Sequence, residues 1–392
     1  MQVEFDNYYK AACLKSRLSL YMVFMLACLL SGCEPNEPYT EAIPASAQRT
    51  VLLYLGVDNN FRPEAQQKIE TLTTNWNKNT DGNLLVYADD GDRPALIHIY
   101  HSKPKGNVAD TLTIYPPENS ANPQTFTRVL NDVKAYRPAQ SYGLIVLSHA
   151  TGWLPAEMSY PTPVLRSVIL DNGTSESNNY MELSDFAAAI PYKLDFIIFD
   201  ACFMGAVEVC YELKDKADYI VASPAEVVSP GFVYASVMQH LFAPQADLVS
   251  VAREFYEYYN NRSGLYRSAT VSVVKTAGLD AVAAIFKGVA GQARNDNMLQ
   301  NLQCFGYGTQ KIYFDLGDYV QQLLPEQYTD FQTALDNCVV YKAHTDSYYS
   351  AGKPNTLTPI RAFSGMSVYV PQAGYPVANE AYKKLKWAKR ME

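Results

Sequence analysis

The sequence predicts an α/β protein built on a mostly parallel sheet, and three observations carry that reading. Short apolar runs recur between helical stretches; the runs are continuously apolar, as in strands buried on both faces; and several are followed by turn-forming residues. Residues 51–57 (VLLYLGV) read as a buried strand ending in Asp58-Asn59-Asn60, residues 62–78 as a helix, and residues 84–88 as a second strand. A turn at 89–92 leads into a hairpin strand at 95–100. Residues 123–136 read as a helix and 142–148 (YGLIVLS) as another buried strand. A long polar loop runs to about residue 180. It is followed by a helix at 183–190, a strand at 194–199 and a helix from about 205 to 214. Beyond about residue 245 the pattern is more helical (247–261, 277–294, 316–324 and 327–337), with strand-like segments at 269–274 and 366–370.

Composition narrows the function. The 392 residues include 40 acidic and 32 basic side chains, a net charge of −8, and 48% are hydrophobic, which excludes a disordered or coiled-coil chain. No stretch clusters the Lys and Arg that phosphate neutralisation needs, so nucleic acid is excluded as a partner. The chain has 30 Tyr against 16 Phe and 3 Trp, an excess that suits an extracytoplasmic surface meeting peptides or glycans.

The first 33 residues set the compartment. Lys15 and Arg17 precede a mainly apolar run at 18–30 and then Leu30-Ser31-Gly32-Cys33, the parts of a secretory signal. The run is shorter than the roughly 20 apolar residues a membrane span needs. Leu30-Ser31-Gly32-Cys33 resembles the lipobox of bacterial lipoproteins. That implies removal of residues 1–32, lipidation of Cys33, and a protein of the cell envelope anchored at the outer membrane or the cell surface. The Pro- and Ala-rich residues 33–49 read as a flexible tether. Two folded parts follow: a core at 50–245 and a mainly helical extension at 246–392 packed on it. Cys202, Cys210, Cys304 and Cys338 are too few and too dispersed for a disulfide framework, and no CxxC occurs.

Two strand ends carry reactive residues: Ser148-His149-Ala150-Thr151-Gly152-Trp153 after one, and Asp200-Ala201-Cys202-Phe203-Met204-Gly205 after the other. In open α/β sheets ligands bind at the carboxyl ends of the strands, so His149 and Cys202 are expected to face each other there. A Cys–His pair is the minimum for nucleophilic acyl transfer, and a helix starting soon after Cys202 would favour its thiolate. His98 and His101, three apart on a strand, point to opposite faces and are poorly placed to share a metal.

On these motifs, together with Asp58-Asn59-Asn60, Ser223-Pro224-Ala225-Glu226 and Gly231-Phe232-Val233-Tyr234, the sequence resembles the clostripain family of cysteine peptidases over roughly residues 50–235. The resemblance implies a caspase-like fold and an endopeptidase cleaving peptide and protein substrates after Arg or Lys. It also implies Cys202 as nucleophile, His149 as general acid–base, and an oxyanion hole from the N–H groups of Ala150 and Cys202. Asp200 would line the pocket for the basic side chain, with Glu226 as a second acid. Family members commonly have Gly where this chain has Ala150, and a Cβ there is tolerable only if φ is negative. Internal processing is frequent in the family, and Arg166, the one basic residue in the loop 154–180, marks an expected Arg166–Ser167 autocleavage site. No cofactor is required. Ca²⁺ activation also occurs in the family, and Asp58, Asp89, Asp90, Asp92 and Asp171 are loop acids more readily read as solvated than as ligands. A non-catalytic lipoprotein binding peptides or glycans on the same fold is the alternative, and a transpeptidase would use the same thiol.

Overall fold

The structure is a computed structural model, and it describes residues 47–56, 62–89, 93–158, 168–171, 180–290 and 296–392. Strand β1 (Ala47–Leu55) pairs in parallel with β2 (Asn83–Ala88) on one side and β5 (Ala139–Leu147) on the other. The parallel core continues through β6 (Leu194–Asp200) to β7 (Ala217–Ala222). One flank is closed by the antiparallel pair β3 (Ala95–Ser102) and β4 (Gly106–Ile114). The other is closed by β8 (Thr270–Lys275) and β9 (Val339–His344), giving a nine-stranded sheet in the order β9-β8-β7-β6-β5-β1-β2-β3-β4. Strand order reverses between β1 and β5, and the sheet's ligand crevice is expected at that reversal.

Pleating divides each central strand between two cores. Leu52, Tyr54, Leu144, Val146, Ile197 and Phe199 face one side, and Val51, Leu53, Ile145, Leu147, Phe196 and Ile198 the other. The first side is covered by α2 (Pro123–Tyr136), α3 (Leu183–Ala189), α4 (Val207–Glu212) and much of the C-terminal chain. The second is covered by α1 (Arg62–Asn75), α5 (Tyr234–Leu241) and α6 (Leu248–Asn260). Helix α2 starts on the Asn122 side chain, which accepts from the N–H groups of Gln124 and Thr125, and has Pro123 at its first position.

The sheet differs from the sequence expectation mainly at its margins. It begins at Ala47, inside the stretch read as tether, because Arg49 is buried there, paired with Asp195 and donating to the carbonyls of Leu241 and Ala243. Strands β4, β7 and β9 have no counterpart in the sequence reading. Residues beyond 245 are largely helical but also supply β8 and β9, and residues 45–392 form one compact unit. Asp89 and Asp171 are buried rather than solvated; Asp171 accepts from the Ser120 N–H at 2.7 Å and its hydroxyl at 3.0 Å. Asp58, Asp90, Asp92, Arg166 and Cys33 lie outside the described residues. Among the described residues no helix is long and apolar enough to cross a membrane, and no three His, Cys, Asp or Glu side chains converge to hold a metal.

Of the 25 tyrosines among the described residues, 12 are buried. Tyr54, Tyr87, Tyr259, Tyr313 and Tyr369 are among the largest fully buried side chains, and their hydroxyls bond Ser120 O, Glu118, Val228 O, Thr151 O and Asn379 respectively. A buried ring with one polar tip suits an interior whose loops need anchoring. The surface reading of the Tyr content is therefore corrected for these residues.

Candidate active site

Neighbouring strands set the site. Leu147, the last residue of β5, is the register partner of Asp200, the last residue of β6. His149 and Cys202 each lie two residues beyond that pair, on strands about 4.8 Å apart, so equal offsets bring them to one edge of the sheet. The loops that carry them are packed together. A Cβ on Gly152 would lie 2.8 Å from Phe203 O and 2.9 Å from the Tyr313 hydroxyl, and Gly152 has φ +70°, so only glycine fits.

Phe203, next to Cys202, has φ +61°, a strained conformation for a bulky residue costing about 1–2 kcal/mol. The surroundings enforce it. Its N–H donates to Ala225 O at 3.0 Å, and its buried ring stacks on Tyr313 at 5.0 Å between centroids. Tyr313 in turn donates its hydroxyl to Thr151 O in the histidine loop. Ala150 is fully buried and its φ is not positive, so the Cβ where the family commonly has Gly brings no left-handed strain.

The helix expected to favour the thiolate stands too far away. Residues 201–205 form turns, and α4 begins only at Val207. Cys202 Sγ accepts from Val227 N–H at 3.4 Å, which favours the anion, but burial and then the Glu226 carboxylate outweigh it and push the thiol up to about 12. Burial also lowers His149 to about 4. At neutral pH the resting pair is therefore thiol and neutral imidazole.

Asp200 does not line an open pocket. Pleating sends it to the α1–α5 side of the sheet, where its side chain is 1% exposed, 3.5 Å from Lys68 Nζ, and accepts from the Tyr234 hydroxyl at 2.6 Å and Phe232 N–H at 3.3 Å. Glu226 is placed differently. Its carboxylate accepts from Ser350 Oγ at 2.6 Å and Ala351 N–H at 3.0 Å. The C-terminal part of the chain thus reaches the site through Ser350 and Ala351, through Tyr313, and through Tyr369, whose ring lies 4.9 Å from Trp153.

Sequence reasoning missed Phe203, Tyr313 and Lys68. Only Lys68 carries a signal: it shares a helical stripe with Ala65 and Leu72, both buried, so it is a cation on an apolar face.

A cysteine and a histidine at the carboxyl ends of adjacent parallel strands, in a sheet of this order flanked by helices, define a caspase-like cysteine peptidase fold. The chain belongs to the clostripain family, which matches residues 53–385. It is 26% identical over 227 residues to clostripain of Hathewaya histolytica, spanning 50% of this chain and 42% of that protein, so it matches less than half of that relative's length. An inactive zymogen C11 protease of Parabacteroides distasonis is 33% identical with a TM-score of 0.78, covering 89% of this chain and 99% of that one. A secreted C11 cysteine protease of Bacteroides thetaiotaomicron, bound to an irreversible peptide inhibitor, is 28% identical with a TM-score of 0.76, covering 88% and 99%.

Gly152→Ala is expected to lower kcat/KM by about 10- to 100-fold, because the added Cβ must push the histidine loop off Phe203. Steady-state kinetics alongside a melting curve checks this; unchanged kcat/KM would show that the two loops need not touch.

Proposed function

We propose that this chain is a cysteine endopeptidase of the cell envelope, lipid-anchored through Cys33, that cleaves peptide bonds after Arg or Lys with Cys202 and His149. The observation that carries the reading is the equal offset of these two residues beyond the Leu147–Asp200 register pair. Since the resting pair is neutral, His149 takes the thiol proton as Sγ attacks the scissile carbonyl, and N–H groups of Ala150 and Cys202 receive the developing oxyanion. The imidazolium then protonates the leaving amine as the C–N bond breaks. Water, deprotonated by His149, attacks the acyl-enzyme, and the proton returns to sulfur as the acid product leaves.

Selectivity for a basic side chain is supported by the family and by the Glu226 carboxylate, whose charge bears on the thiol. Arg166–Ser167 is the proposed internal processing site, in keeping with the similarity to a zymogen. The second reading is a non-catalytic peptide-binding lipoprotein on the same fold, with Ala150 standing where the family commonly has Gly.

Hydrolysis of an Arg-ended fluorogenic peptide by wild type, Cys202→Ala and His149→Ala separates the readings. Cys202→Ala is expected to abolish turnover and His149→Ala to lower it by about a thousandfold or more. Activity surviving in Cys202→Ala would overturn the nucleophile assignment. Wild-type protein that binds the peptide without cleaving it would favour the binding module.

A further inference from the structure

Lys68 sits in surroundings that resemble a receptor for a lysine side chain. Its ammonium donates to Pro230 O at 2.6 Å and Phe232 O at 3.4 Å, lies 3.5 Å from Asp200 and from Glu64, and stands 4.4 Å over the Tyr234 ring. Carboxylate, peptide carbonyls and an aromatic face are the groups that hold a buried cation. Here they are filled from inside the chain, by a residue of α1. Space around the carboxylate is closed as well, since a Cβ on Gly231 would come within 2.0 Å of Asp200 Oδ1.

Glu226 has the opposite character. Although it too is buried, its partners, Ser350 Oγ and Ala351 N–H, are neutral donors. It immediately precedes Val227, whose N–H contacts Cys202 Sγ. Of the two acids flanking the nucleophile, Asp200 is answered by an internal cation, while Glu226 is held, among the described residues, by neutral donors alone.

We propose that Lys68 withdraws Asp200 from substrate recognition, so that in this chain selectivity for a basic residue before the scissile bond is carried by Glu226. The proposal rests on the peptidase reading for its meaning, but its test does not need turnover.

Arg-ended and norleucine-ended product peptides are titrated calorimetrically into the full chain carrying Cys202→Ala, alone and combined with Glu226→Gln or with the charge-neutral double change Lys68→Met and Asp200→Asn. The preference for Arg over norleucine, as a ratio of Kd values, is expected to fall about tenfold or more with Glu226→Gln, the factor one charge-assisted contact confers. It is expected to stay within about threefold with the double change. A preference that survives Glu226→Gln overturns the proposal, whether or not the double variant folds. So does a preference lost only with the double change, or none in the parent. Failure of wild type to hydrolyse the Arg peptide, with the binding preference intact and sensitive to Glu226→Gln, would instead count against the peptidase reading alone.

Discussion

Lys68→Met is expected to destabilise the protein by about 3–5 kcal/mol, the cost of breaking a buried ion pair from one side. Both side chains are deeply covered, 9% exposed for Lys68 and 1% for Asp200, so the carboxylate left behind can neither reach water nor find another ammonium. Burial already pushes Asp200 above the ordinary carboxylate range, and Lys68 is the first of the groups that pull it back. Removing the lysine therefore leaves either a desolvated charge or a protonated acid. Adding Asp200→Asn should restore most of the loss, because the amide oxygen still accepts from Tyr234 and from Phe232 N–H. Guanidinium denaturation of both single variants and the double checks this through the coupling energy. If both single changes fall within about 1 kcal/mol of wild type, the Lys68–Asp200 pair does not hold α1 to the segment carrying Pro230 and Phe232.

Much of the fold, and the placing of His149 and Cys202 at one sheet edge, were legible in the sequence for one reason. Continuous apolar runs such as 144–147 and 196–199 are what a strand buried on both faces requires, and residues just past such runs must sit at the sheet's edge. Strands β4 and β9 were not legible, because an edge strand is partly solvated and its polar residues break the pattern: β4 (GNVADTLTI) has no fully buried position. Strand β7 is short and follows α4 closely, with an exposed Asp218 interrupting its apolar run. The site was half legible. Motif and spacing single out His149 and Cys202, which the register brings to one edge of the sheet, but the side to which Asp200 points depends on the strand's pleat counted from its buried partners. What lies there depends on α1, which is 132 positions away at Lys68. Phe203 shows the complementary failure. A left-handed residue is read from Gly or Asn, and here Ala225 O and Tyr313 hold a phenylalanine in that conformation instead.

Glu208→Gln is expected to remove a pH dependence that the wild type carries between about pH 5 and 9. Glu208 lies in the first turn of α4 but is fully buried, and burial raises its carboxyl from 4.5 to about 8 against the pull of the Tyr369 N–H, which donates to it at 2.7 Å. The folded value lies above the unfolded one, so the native state holds this proton more tightly. That contribution is complete below pH 4.5 and is lost as pH rises through about 8. Each unit of difference corresponds to about 1.4 kcal/mol, so the loss is on the order of several kcal/mol. Glutamine cannot ionise and still offers an oxygen to Tyr369, so the variant should gain on wild type steadily as pH rises. The same contact bears on the site: Tyr369 packs on Trp153, which closes the histidine loop, and Ser367 N–H donates to Gly205 O at the end of the cysteine turn. Ionising Glu208 therefore loosens the segment that spans the His149 and Cys202 loops, and activity of wild type should fall as pH passes about 8 more steeply than that of the variant. Melting temperatures of the two proteins from pH 5 to 9 decide the point: parallel curves would show that Glu208 releases its proton in the folded protein as readily as in the unfolded chain, so that its burial carries no pH-dependent cost.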